Sequence, residues 1–122
     1  MGLVELYEKE RLRIAETADG RGDYSHPVFG EGPVNPLVML IGEAPGGDEA
    51  KQGRPFVGKA GKQLDALLSG AGIDRSRVYI TNTVKFRPVN VKPKSVSNRT
   101  PTGAELKAEL PLLKSELCLL SP

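Results

Sequence analysis

The chain has 122 residues, enough for one domain with a modest core, and its 39% hydrophobic and 26% charged residues are those of a globular protein. No apolar run approaches the ~20 residues that cross a bilayer. The charged N-terminus lacks the apolar core of a signal peptide, and one cysteine, Cys118, excludes both a disulfide framework and a cysteine-built metal site. These features predict a single cytoplasmic domain over 1–122 with no membrane association. The formal net charge is only +2, but Lys85, Arg87, Lys92, Lys94 and Arg99 form a basic stretch without acids. Such a stretch suits a polyanion such as nucleic acid, though charge alone favours a solvated loop.

In chain order, residues 3–16 read as a helix with Leu3, Tyr7 and Ile14 near one face. Asp19-Gly-Arg-Gly-Asp23 ends it, and Tyr24 to Pro36, rich in Gly and Pro, reads as irregular chain carrying an exposed His26. Leu37 to Ile41 is a continuous apolar run, which predicts a central parallel strand covered on both faces. It ends abruptly in Gly42-Glu-Ala-Pro-Gly-Gly47, a loop, followed by the turn Gly53-Arg-Pro-Phe-Val-Gly-Lys-Ala-Gly61. From Val57 the apolar positions Ala60, Leu64, Leu67, Leu68 and Ala71 follow at helical spacing. Arg77 to Thr81 is a second strand, completing a strand–helix–strand unit.

Arg87 to Pro101 holds three prolines and reads as a long basic loop. Thr102-Gly-Ala-Glu105 is a capping box that opens a last helix, with Leu106, Leu110, Leu113 and Leu117 as its apolar stripe. Pro111 inside that helix predicts a kink. Two strands cover a parallel sheet poorly, so the expectation is marginal stability, or pairing with a second chain through an exposed strand edge.

Gly53 to Lys59 fits the spacing of a phosphate-binding loop, but Ala60 follows where a magnesium-binding hydroxyl belongs, and Pro55 and Phe56 obstruct a cradle of N–H groups. A nucleotide triphosphatase is set aside. The other constellation lies at the carboxyl ends of the strands, where open α/β sheets bind ligands. Glu43 leaves the first strand, Asn82 the second, and Phe56 projects from the turn between them. A ring to stack on, an amide with a donor and an acceptor, and a carboxylate that could hold water form a reader of a flat polar ring. On spacing alone, Glu43 and Asn82 could as well be strand-end caps, with Phe56 in the core.

Gly42-Glu-Ala-Pro-Gly46, Gly53 to Gly61, Thr81-Asn-Thr-Val-Lys-Phe-Arg-Pro88 and Asn98-Arg-Thr-Pro-Thr102, in this order, resemble the uracil-DNA glycosylase superfamily, most nearly its family-4, phage-polymerase-related branch. The resemblance covers about 29–117. It implies a three-layer α/β/α sandwich around a short parallel sheet, and an enzyme that flips uracil, or another deaminated base, out of DNA and hydrolyses its bond to deoxyribose. By match of motif, Glu43 would position the attacking water, Phe56 would stack on uracil and Asn82 would bind its polar edge. Gly42, Ala44, Pro45 and Gly46 would line the pocket. Lys85, Arg87, Lys92, Lys94 and Arg99 would track phosphates.

The branch resembled carries a four-iron–four-sulfur cluster on four cysteines. Phe86 and Glu109 stand where two of these belong, and the N-terminal pair is absent from 1–32, so no cluster and no other metal are expected. The family also continues into further strands and a histidine-bearing motif that this sequence does not contain. The chain is therefore expected to be the N-terminal portion of the fold. A non-catalytic nucleic-acid-binding or structural remnant is the alternative to the enzyme.

Overall fold

A computed structural model describes residues 2–122. Helix α1, Leu3–Ala15, buries Leu6 and Ile14, with Tyr7 half-buried beside them. A two-residue strand β1, Gly22–Asp23, follows in chain predicted to be irregular. Strand β2, Val38–Gly42, pairs in parallel with β3, Val78–Asn82, in the register Val38↔Val78 to Gly42↔Asn82. Between them lie α2, Gly47–Gln52, and α3, Lys59–Gly70, then a short 3-10 turn, Arg75–Arg77, capped by Asp74.

Helix α2 was not predicted. Its six residues carry no apolar stripe, and it ends at Gly53, whose φ of 70° stops the helix as a left-handed glycine does.

Every residue of β3 is buried. Side chains alternate across a strand, so Val78 and Ile80 meet Leu68 of α3, with Leu40, Phe56 and Leu64 packed around them. Tyr79 and Thr81 point the other way, to Tyr7 of α1 and Glu116 of the last helix. β3 thus lies between α3 on one face and α1 with the last helix on the other, an α/β arrangement.

Three expectations need correction. β2 is an edge strand and not a covered central one: among the described residues β3 is its only hydrogen-bonded neighbour, and Val38 and Ile41 are 43% and 45% exposed, with Leu37 before them 93% exposed. An apolar run reports what a strand is fit to bury, not what lies beside it. The basic loop is a hairpin of β4, Arg87–Lys92, and β5, Ser95–Asn98, around Pro93-Lys94, and β4 also pairs with β1. The prolines concealed the alternation of Val89, Val91 and Val96.

The last helix, α4, Gly103–Leu120, opens on the predicted capping box. The Glu105 N–H donates to Thr102 Oγ1 at 3.1 Å, and the Thr102 N–H to Glu105 Oε1 at 2.9 Å. It continues through Pro111 as one helix, but its buried face is Glu109, Leu112, Leu113, Glu116 and Leu120. That stripe is helical in spacing and includes two carboxylates, which a count of apolar residues passes over. Leu110 and Leu117 are instead exposed.

Candidate active site

The parallel register places Gly42 beside Asn82, and the pairing continues into the loops. Gly42 O accepts from the Thr83 N–H, and Glu43 O from the Val84 N–H, each at 2.9 Å. Glycine at position 42 is a steric requirement. A Cβ there would lie 2.3 Å from Asn82 Oδ1 and 2.4 Å from the Phe56 ring. The ring and the amide therefore converge over the bare backbone of the first strand's end. A recess of about 60 Å³ opens there, lined by Ala44, Glu49, Phe56, Ala60 and Asn82.

Asn82 is 3% exposed. Its backbone carbonyl accepts from Lys85 Nζ, while its amide makes no hydrogen bond among the described residues and lines the recess. It is not a strand-end cap. Phe56 is half-buried, its backbone in the left-handed region at φ 52°. Glu43 is exposed at the strand's end, in no ion pair among the described residues and outside the lining of the recess. Pro45 is buried behind the loop.

Sequence reasoning missed Glu49. Its Oε1 accepts from the Gly46 N–H at 3.0 Å, and its Oε2 from the N–H groups of Val57 and Gly58 at 3.0 and 2.8 Å. One carboxylate thus joins the two glycine-rich turns. Burial pushes its pKa up, but the three backbone donors outweigh that and hold the carboxyl below its usual range. The signal available was spacing: a glutamate three residues after a helix-opening position reaches back to that position's N–H.

A family model described as the Uracil DNA glycosylase superfamily matches residues 29–122. The chain belongs to the uracil-DNA glycosylase superfamily. It is 47% identical over 95 residues to a type-4 uracil-DNA glycosylase of Pyrobaculum aerophilum, covering 78% of this chain and 45% of that protein. It is 44% identical over 120 residues to a type-4 uracil-DNA glycosylase of Thermotoga maritima, covering 98% of this chain and 58% of the relative. A DNA polymerase of Bacillus phage SP01 is 30% identical over 97 residues, covering 79% of this chain. The chain spans about half the length of the curated glycosylases it matches.

In this superfamily member the basic residues do not act as one set. Lys85 is fully buried, and its ammonium is held by Glu116 Oε1 at 2.5 Å, Thr81 Oγ1 at 2.9 Å and the Asn82 carbonyl. Burial lowers its pKa, and Glu116 opposes the fall. Lys85 cannot reach a phosphate, which corrects its expected role. Arg99 is also engaged: its guanidinium donates to both Glu105 oxygens, to Arg21 O and to Val89 O. Arg87 donates to Asn98 Oδ1 at 2.6 Å and lies against Gly47 of the first loop. Lys92 and Lys94 stand exposed at the hairpin tip.

The iron–sulfur cluster that the resemblance implies does not fit these residues. Phe86 packs in a core cluster with Ile14 and Tyr24, and both Glu109 oxygens accept from Arg13 at 3.0 Å. Cys118 is a lone, exposed thiol, and the described residues contain no group of three His, Cys, Asp or Glu side chains able to hold a metal. Among the described residues no helix is long and apolar enough to cross a membrane.

Proposed function

We propose that the chain, acting as one domain in the cytoplasm, is the base-reading part of a DNA-repair N-glycosylase that releases uracil, or another deaminated base, from DNA. The observation that carries this reading is the Asn82 amide. Asn82 is 3% exposed as a residue, its amide makes no hydrogen bond among the described residues, and it lines one recess with the Phe56 ring. No side-chain polar atom is fully buried without a partner among the described residues, so the amide is open to the recess, where a ligand edge would meet its donor and acceptor. Family membership and the named relatives support uracil as the source of that edge.

In this reading the nucleotide turns out of the duplex and its base stacks on Phe56. The Asn82 amide offers both a donor and an acceptor to the base edge. Glu43, at the mouth of the strand end, orients water and balances the positive charge that develops on the sugar. The water oxygen bonds to C1′, the C1′–N electron pair leaves with the base, and the water's proton passes to Glu43. Arg87, Lys92 and Lys94 contact phosphates. The open edge of β2 pairs with a second chain.

The size of the recess favours a second reading. About 60 Å³ is far below the ~300 Å³ at which ligand pockets begin, as expected of a non-catalytic DNA-binding remnant. Base release from a uracil-containing oligonucleotide separates the two readings. Release by the wild type and none by Glu43→Ala supports the enzyme. No release from a folded sample that still binds DNA supports the remnant.

A further inference from the structure

We infer that Arg75, outside every motif of the site, is the positioning residue that holds the Phe56 ring in stacking attitude. Its functional half rests on the glycosylase reading above. Phe56 is a non-glycine residue in the left-handed region, a conformation that persists only where its surroundings over-determine it. Arg75 supplies the determination. Its Nη1 donates to Phe56 O at 2.8 Å, and its Nη2 to Pro55 O at 2.7 Å, so one planar guanidinium grips two successive carbonyls. Nη1 also donates to Asp65 Oδ1 of α3 at 2.8 Å, which fixes the fork in its plane.

The other side of the turn is closed by α3 itself. A Cβ on Gly61 would lie 1.9 Å from Phe56 O, so the helix backbone abuts the carbonyl that Arg75 holds. With its carbonyls clamped from both sides, the Phe56 peptide cannot rotate, and the ring stays over Gly42 beside Asn82. The placement of Arg75 is economical. It sits in the 3-10 turn that leads directly into β3, whose last residue is Asn82, so one short segment sets both the stacking ring and the edge-reading amide. Lysine could not do the same, because its ammonium is a point charge without the rigid fork.

The test is aromatic NMR of the full chain with carbon-13 phenylalanine, comparing wild type, Arg75→Gln and Arg75→Lys, together with single-turnover uracil release. Phe29 and Phe86 are internal references, since they pack on Tyr7 and Tyr24 and not on the turn. The expected result is movement of the Phe56 signals in Arg75→Gln, less in Arg75→Lys, with the references in place. The release rate at saturating DNA falls by about 10-fold or more while KM is unchanged, because phosphate contacts are untouched. In a Phe56→Gly background, where a left-handed φ carries no penalty, Arg75→Gln shifts the urea midpoint less than in wild type.

Unmoved Phe56 signals overturn the inference, and so does a moved ring with unchanged release rate. If Arg75→Gln unfolds, seen as collapse of all three phenylalanine signals, Arg75→Lys decides on the same criteria. A wild type that releases no uracil, with Phe56 signals that still follow Arg75, overturns the glycosylase reading and upholds the hold of Arg75 on the turn.

Discussion

Gly42, Asn82 and Lys85 show how much one side chain decides in this molecule. Because a methyl at Gly42 would strike both Asn82 and Phe56, Gly42→Ala should fill the recess and abolish uracil release. Glu43→Ala, at an exposed position, should abolish release with stability unchanged within about 0.5 kcal/mol by urea unfolding. Lys85 is the opposite case. Lys85→Met would leave Glu116 charged, buried and unpaired, costing about 3–5 kcal/mol, measurable as a lowered urea midpoint. Lys92→Ala and Lys94→Ala should leave that midpoint in place. Each should lower the slope of log affinity for DNA against log salt by about 1. A Lys85→Met protein as stable as wild type would contradict the burial argument. The five basic residues between Lys85 and Arg99 were legible in the sequence as charges, and none as buried or free, because burial of Lys85 depends on a carboxylate 31 residues away.

At the scale of elements, three ion pairs tie α4 to the rest of the chain: Lys85 with Glu116, and two others. Arg99 holds the Glu105 carboxyl down to about 2 against burial, which pushes it up, and so joins the hairpin's end to the helix's first turn. A carboxyl lowered in the folded state stabilises fully above its unfolded value near 4.5, and that stabilisation disappears as pH falls through about 2. Urea midpoints followed from pH 6 down to pH 2 should therefore fall across that window. Glu105→Gln should flatten the fall, and an equal fall in the variant would count against it.

The second tie is Arg13 with Glu109. It joins α1 to α4 through two charged side chains. Thermal unfolding should be insensitive to a strong iron chelator, and Glu109→Gln should lower Tm, whereas a chelator-sensitive Tm would sink this account. The capping box was legible because it is local, its two partners three positions apart. The buried face of α4 was not, because Glu109 and Glu116 become core residues only when α1 and Lys85 supply their partners.

Across the whole molecule, the weak point is β2. Its outer edge carries no neighbour among the described residues, and Leu37, Val38 and Ile41 present apolar surface along it. Open edges of this kind recruit strands, and a two-stranded parallel pair is a small sheet to stand alone. Sedimentation should show concentration-dependent self-association, and Val38→Lys with Ile41→Lys should reduce it by placing charge on the edge. A wild type that sediments as a monomer at every concentration would remove the edge-pairing proposal.

What the sequence by itself determined is whatever short-range chemistry dictates. The strand–helix–strand order follows from hydrophobic period, the capping box from a three-residue spacing, and the family from four motifs in order. The strand ends also suggested Glu43, Phe56 and Asn82 as one constellation, of which Phe56 and Asn82 line one recess and Glu43 stands outside it. Only the tertiary structure decided which polar groups are buried, which strand edge is open, and how the Phe56 turn is held. Glu49 bridging two turns and Arg75 gripping the Phe56 turn are contacts between segments 8 to 20 residues apart. The physical reason is that burial and pairing belong to the space between elements. A residue's type states what it can do there, and only its neighbours in three dimensions state what it does.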